Sequence, residues 1–394
     1  MGTDGRQLRR GLAALLGAGA FLLAYPAISP GLDLLLGRAT LLSAAFSMPG
    51  GALKTIRERY AAEVLPEDGP EPASPASPSS APELFHPGEV SPELLPEPAP
   101  EEAAGQPPEE LLPRPREGES PEIPEEYQAP LRTVNMTGEE GNPAFIPYGA
   151  GWIRNYTKLA PGEIARVLEE PASVSLEKSP EPQVLIYHTH TTESYEEWDG
   201  EVYDSRNNWR SRDNTVNMAA VGEELARGLR AMGIQVIHDE TQHDYPAYNG
   251  AYDRSAATIK GWLEQYPTIR VAIDVHRDAV LYDDGSTVKT VREVAGYKAA
   301  QLMVIAPCDD GTVGVPGWKE NFRFAAGFTS AVEEAYPGLM RPVFFCYRNY
   351  NLWATPDSLL FEFGTNGNTL EEAKYTARLV APILGEYLLG DRDG

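Results

Sequence analysis

The chain has 394 residues and a formal charge of −25, long enough for two domains or for one domain with large appendages. So acidic a chain lacks the basic surface that neutralises phosphates, so nucleic acid is excluded as an expected partner. Its two cysteines, Cys308 and Cys346, end or follow short apolar runs and offer no cysteine-rich zinc site. They read as buried free thiols; a disulfide is the alternative if those runs are neighbouring strands outside the cytoplasm.

Gly11 to Gly31 is an uncharged apolar stretch of 21 residues preceded by Arg6, Arg9 and Arg10. That length suits a single membrane crossing, and the basic flank places residues 1–31 as a cytoplasmic start and transmembrane anchor, with the rest of the chain outside. A cleaved signal peptide is the competing reading. Residues 32–65, broken by Asp33 and Arg38, read as a juxtamembrane interfacial segment.

Residues 66–126 carry sixteen Asp or Glu against two Arg, and 17 of the 35 prolines. Such a stretch cannot bury enough apolar surface to offset its chain entropy, so a disordered linker is predicted, roughly 190 Å long if extended at about 3.1 Å per residue. Its one histidine, His86, lies within it.

Residues 127–181 read as an N-terminal extension of the globular part, with a strand at WIRNYT (Trp152 to Thr157) and a short proline-started helix at PGEIARVLEE. From Pro182 strands and helices alternate, predicting a catalytic domain over 182–394. VLIYHTH leads to a helix beginning near Asp213 or Asn214, with Val221, Leu225, Leu229 and Met232 on one face. IQVIH is the second strand, a helix near Ser255 to Tyr266 follows, and IRVAIDVH is the third. VLYDDGSTVKT reads as a hairpin turning at Asp284-Gly285. AQLMVIAP, PVFFCYR and SLLFEFG are strands, with helices over Trp318 to Tyr336 and Leu370 to Leu389. The predicted fold class is α/β, a largely parallel twisted sheet with helices on both faces.

His190 closes the first of these strands, His276 closes the third, and Glu362 sits near the end of the last. In open α/β sheets the carboxyl ends of the strands share one edge, where ligands bind. Two histidines and a carboxylate brought to that edge match a hydrolytic zinc site with a nearby general base. Each residue has a plainer reading: a hydrogen-bonded His-x-His pair, a His276 paired with Asp274 or Asp278, a buried Glu362 at a helix end. His238 and His243, after the second strand, are expected to be solvated or structural.

The segments VLIYHTHTTESY, SRDNTVNMAAVGEEL, HDYPAYNGAYDRS, IDVHRDA, WKENFRFA and LLFEFGTNGNTLEEA resemble the stage II sporulation protein P family, from about Trp152 to the C-terminus. The family comprises membrane-anchored peptidoglycan hydrolases of spore-forming Gram-positive bacteria and is distantly similar to zinc-dependent N-acetylmuramoyl-L-alanine amidases. The resemblance implies a Zn2+ cofactor, His276 as a ligand and Glu362 as the catalytic residue. It implies His190 as the first ligand, with His188 as the alternative. The amidases carry a glutamate ligand at the following helix; here that place is near Asp213, and Glu193 is the preferred substitute. Arg277, Arg206 and Asn366 are candidate substrate contacts. Expected partners are peptidoglycan, the membrane, and stage II sporulation proteins D and M, at the septum during engulfment. Implied activities are amidase cleavage and endopeptidase cleavage of cross-linked stem peptides; the competing class is a non-catalytic peptidoglycan-binding module.

Overall fold

A computed structural model of the chain describes residues 107–114, 118, 120–282 and 284–390. The predicted anchor, the juxtamembrane segment and the linker up to residue 106 lie outside the described residues. Among the described residues no helix is long and apolar enough to cross a membrane.

Strand-forming runs of β-branched and aromatic residues build two sheets. The larger has eight strands in the order β2-β3-β11-β10-β12-β7-β4-β6: β2 (Phe145–Tyr148), β3 (Gly151–Asn155), β4 (Val184–Tyr187), β6 (Val236–His238), β7 (Val271–Asp278), β10 (Leu302–Pro307), β11 (Val343–Cys346) and β12 (Leu359–Thr365). All its pairings are parallel except β2 with β3 and β10 with β12. The α/β expectation therefore holds. A smaller sheet of four strands was not foreseen: β5-β1-β8-β9, from β1 (Gln128–Val134), β5 (Val202–Asp204), β8 (Thr287–Val294) and β9 (Tyr297–Ala300). Sequence periodicity misses it because β5 is three residues long and β1 comes from the extension, which pairs in parallel with β8 across more than 150 positions. The anticipated turn at Asp284-Gly285 is present, but it closes only one bridge, Leu281 to Thr287, before β8 joins β1.

Helices cover both faces. Odd-numbered β7 and β12 residues such as Ile273, Val275 and Phe361 pack with the even-numbered Val184 and Ile186 of β4. They bury against α2 (Met218–Ala231), α4 (Trp318–Ala335) and α5 (Leu370–Leu389), with the short α1 (Pro161–Val167) contributing Ile164. The opposite face, carrying Leu185, Tyr187 and Ala272, packs on Ile259 of α3 (Ala251–Gln265). Aromatic stacking locks the larger core: Phe322 lies 3.9 Å from Phe345 and Phe328 5.5 Å from Phe361, contacts worth about 0.5–1.5 kcal/mol each beyond burial.

Helix starts follow side-chain chemistry. Asn217 caps α2 by accepting from the Ala219 amide, so the helix begins later than the Asp213–Asn214 expectation. Thr369 and Glu372 form a capping box at α5, whose bounds match the sequence reading. The tail of the predicted linker departs from disorder: Leu111 O accepts from Arg378 Nε at 3.0 Å, and the Arg114 amide donates to Glu371. Arg378 as donor and Glu371 as acceptor, both on α5, give this proline-rich strip partners its composition does not advertise.

Candidate active site

β7 and β12 run parallel with His276 directly beside Glu362. Both residues continue the face that Ala272 and Leu360 present to the α3 side, so their side chains enter one cleft. Just past Glu362 the β7–β12 register shifts, at Gly364. There φ is +67°, and a Cβ would stand 2.5 Å from Asn368 Oδ1 and 2.8 Å from Ala300 Cβ, so only glycine fits.

The cleft, a cavity of about 150 Å³, is bounded by His190, Glu193, His276 and Glu362 on its polar side and by Met303 and Leu360 on its apolar side. His276 Nε2 lies 2.8 Å from Asp274 Oδ1, while its Nδ1 turns towards Glu193 Oε2 at 3.7 Å. Asp274 is fully buried and also accepts from the Thr189 amide (2.8 Å) and hydroxyl (2.6 Å). The His190 ring stands perpendicular to that of His276, 5.3 Å away, and is covered by Tyr248 stacked at 4.3 Å. Neither His190 ring nitrogen has a hydrogen-bond partner, and Glu193 Oε2 and Glu362 Oε2 also lack one.

The electrostatics are strained in a consistent sense. Burial pushes the His190 pKa well down, and the His276, Arg210 and Arg277 charges add to this. Burial also lowers that of His276, but the charge and hydrogen bond of Asp274, with Glu362 and Glu193, push it up to about 9. Burial holds Glu362 well above the usual carboxylate range; Asp278 and Glu193 raise it further, against His276 and Arg341. Acceptors gathered out of water without donors are costly. Two imidazoles and a carboxylate of this kind form the donor set of a hydrolytic zinc centre, and the orphaned nitrogens and oxygens fit such an ion.

The candidates separate cleanly. His190, Glu193, His276, Glu362 and Arg277 meet at the cleft; His188, Arg206, Asn366 and Asp213 do not. Strand periodicity alone would put His188 and His190 on one face, but β4 ends at Tyr187 and the chain then turns. The His188 ring keeps to the side of Val184 and Ile186, against Gly222 of α2, whereas the turn carries His190 to the opposite face. Asp213 is exposed and accepts from Thr215 in a local turn. Arg206 is exposed, paired with Asp204 at 2.6 Å and stacked over Tyr127. Asn366 is buried and bonded to Val280 and Thr287. Arg277 donates to the carbonyls of Ser194 (2.9 Å) and Trp209 (3.0 Å), so it holds the loop that carries Glu193. His243 is structural as expected, bonded to His188 O and Thr258.

Residues not anticipated complete the cleft. Asp244 accepts from the Thr192 amide and hydroxyl and from Arg210, fixing the turn between His190 and Glu193. Arg210 also lies 3.6 Å from Glu193 and over the Tyr248 ring. Tyr252 meets His190 edge-on. The aromatic density of HDYPAYNGAYDRS is the signal that marked this wall. Cys308 and Cys346 are free and buried on adjacent strand ends.

The sequence model of the family described as Stage II sporulation protein P (SpoIIP) matches residues 123–385. The chain is 27% identical to Stage II sporulation protein P of Bacillus subtilis (strain 168) over 219 residues, 52% of this chain and 50% of that protein; it thus spans about half the length of the curated relative it matches. Among solved structures, the catalytic domain of the CD27L endolysin targeting Clostridia difficile is 15% identical, with a TM-score of 0.32, covering 53% of this chain and 98% of that one. The N-acetylmuramyl-L-alanine amidase Ami1 of Mycobacterium smegmatis is 12% identical at a TM-score of 0.32, covering 54% and 99%. With the family match extending over most of the described residues, the chain belongs to the stage II sporulation protein P family.

Proposed function

We propose that the chain is a zinc-dependent peptidoglycan hydrolase that cleaves the amide between the muramoyl lactyl group and L-alanine. The observation that carries this reading is the set of buried, unpartnered acceptors on His190, Glu193 and Glu362 beside His276, whose Nε2 faces Asp274 Oδ1 at 2.8 Å. His190, Glu193 and His276 would hold the ion, which supplies Lewis-acid polarisation of the scissile carbonyl. Asp274 orients His276 by occupying Nε2, leaving Nδ1 for the cleft.

Glu362 receives the proton that water loses as its oxygen attacks the amide carbon. It then delivers that proton to the departing nitrogen, so a lactyl carboxylate and a free L-alanine amine result. Its raised pKa suits the delivery step, and a divalent cation in the cleft draws the same group towards the ionised form that starts the cycle. Apolar Met303, Ile305 and Leu360 limit water around it. Family membership supports an extracytoplasmic enzyme tethered by residues 11–31, acting in sporulation with stage II sporulation proteins D and M.

Incubating the full chain with purified cell wall and resolving products by mass spectrometry tests this reading. Release of intact stem peptides is expected, and split cross-bridges would show endopeptidase action as well. Glu362→Gln should lose on the order of 10²–10⁴ in rate while retaining zinc. Full activity in that variant would refute the role given to Glu362, and wall binding without any cleavage by the native chain would favour a binding module.

A further inference from the structure

His188, excluded from the cleft, belongs to a second constellation on the other side of the sheet. Its Nδ1 lies 2.9 Å from Val275 O. A carbonyl only accepts, so Nδ1 carries the proton. The ring is fully buried beneath Gly222, where a Cβ would stand 2.5 Å from its Cε1, and burial keeps it neutral. Its Nε2 is therefore a lone pair, and it faces His238 Nε2 at 2.9 Å. His238 must donate there. In the neutral ring this leaves His238 Nδ1 without a proton, yet that nitrogen faces Glu223 Oε2 at 3.0 Å and Glu240 Oε1 at 3.7 Å.

Three acceptors thus converge, with Arg230 Nη1 at 3.3 Å from Glu223 Oε2 as a donor on the outer side, and the His238 side chain is only 2% exposed. Their ligand atoms all lie within 4.8 Å of one another. Among the described residues this is the one triad so tightly drawn; His190, Glu193 and His276 are more open. Each carboxylate is also steadied from outside, Glu223 by Arg230 at 3.2 Å and Glu240 by Asn214 at 3.3 Å. Arg230 offsets part of the negative charge from the Glu223 side.

We propose that Glu223, His238 and Glu240 form a second divalent-cation site, distinct from the cleft, that ties the segment after β6 to α2. One imidazole nitrogen and two carboxylate oxygens suit a borderline ion such as Zn2+, with a fourth position for water. The segment so tied matters to the cleft. Four residues beyond Glu240, Asp244 accepts from Thr192 and Arg210, and Tyr248 stacks on His190.

The test uses the full chain, stripped with a chelator and dialysed against Zn2+, with metal and protein quantified together. Wild type should hold two ions. Glu223→Gln with Glu240→Gln should hold one, as should His190→Ala with His276→Ala, and the four changes combined should hold none. Both glutamates are half-exposed, so their replacement leaves the core intact. Added Zn2+ should also raise the Tm of the His190→Ala, His276→Ala chain, and that rise should vanish when the glutamates are replaced. Unchanged stoichiometry and affinity in the Glu223→Gln, Glu240→Gln chain would overturn the proposal, and would mean that His238 simply carries a second proton. That outcome leaves the zinc hydrolase reading standing. Loss of an ion with the glutamates but not with His190 and His276 would do the reverse.

Discussion

Asp274 and His276, two residues apart on the same face of β7, are joined side chain to side chain, Nε2 to Oδ1, at 2.8 Å. The contact sets Nε2 against a buried carboxylate and turns Nδ1 towards the cleft.

Asp274→Asn keeps the shape of this contact and removes its charge. Zinc affinity is expected to fall about 10–100-fold, measured by competition with a chromophoric chelator. Hydrolysis at saturating zinc should recover most of its rate, which a merely unfolded protein would not do.

The metal-free chain should lose stability as pH rises towards about 9. His276 has its pKa raised from 6.5 to about 9, so its stabilising protonated form is fully present below 6.5 and is lost on the way to 9. Glu362 is raised above its ordinary 4.5, so its contribution is likewise present at acid pH and lost upward. Both act in one direction. His190, held well below its ordinary 6.5, acts the other way as pH rises through that value. Urea midpoints in chelator should therefore decline between about pH 7.5 and pH 9, where His276 loses its proton. A midpoint that rises over this window would contradict the electrostatics of the cleft.

Gly222 on α2 sits where a methyl group would meet His188 Cε1 at 2.5 Å, His188 Nε2 at 2.7 Å and His238 Nε2 at 2.8 Å. Alanine favours helix, yet here overpacking should dominate, costing about 1–3 kcal/mol. A lowered urea midpoint with an unchanged denaturant slope is the expected result.

Cys308 and Cys346 are predicted to be inert in the folded chain. Burial pushes the Cys308 thiol up to about 11 and the Cys346 thiol up to about 12. Thiol reagents at pH 8 should leave both unmodified until denaturant is added, then label two thiols per chain.

Much of the architecture was legible in local pattern. Apolar runs such as LMVIA, and LLFEF broken only by Glu362, announced buried strands, and the helix read over Leu370 to Leu389 is α5. The sheet-edge argument also brought His190, His276 and Glu362 to one cleft from nearly two hundred residues of sequence. The four-stranded sheet was not legible, since pairing β1 with β8 is a long-range choice that short, mixed strands do not encode locally.

By itself the sequence determined the element types, the parallel bias of the sheet, and which residue types were fit to hold a metal. Those properties depend on composition and period, which are local. Only the tertiary structure showed which of His188 and His190 enters the cleft, because the strand ends at Tyr187, three residues before the end of the motif, and the turn after it sends the two rings to opposite faces. It likewise placed Glu193 in the cleft and Asp213 at the surface, through Arg277 and Asp244 anchoring a loop from distant elements. A side chain's direction at the end of a strand depends on what the chain packs against next, and that information is spread over the whole fold.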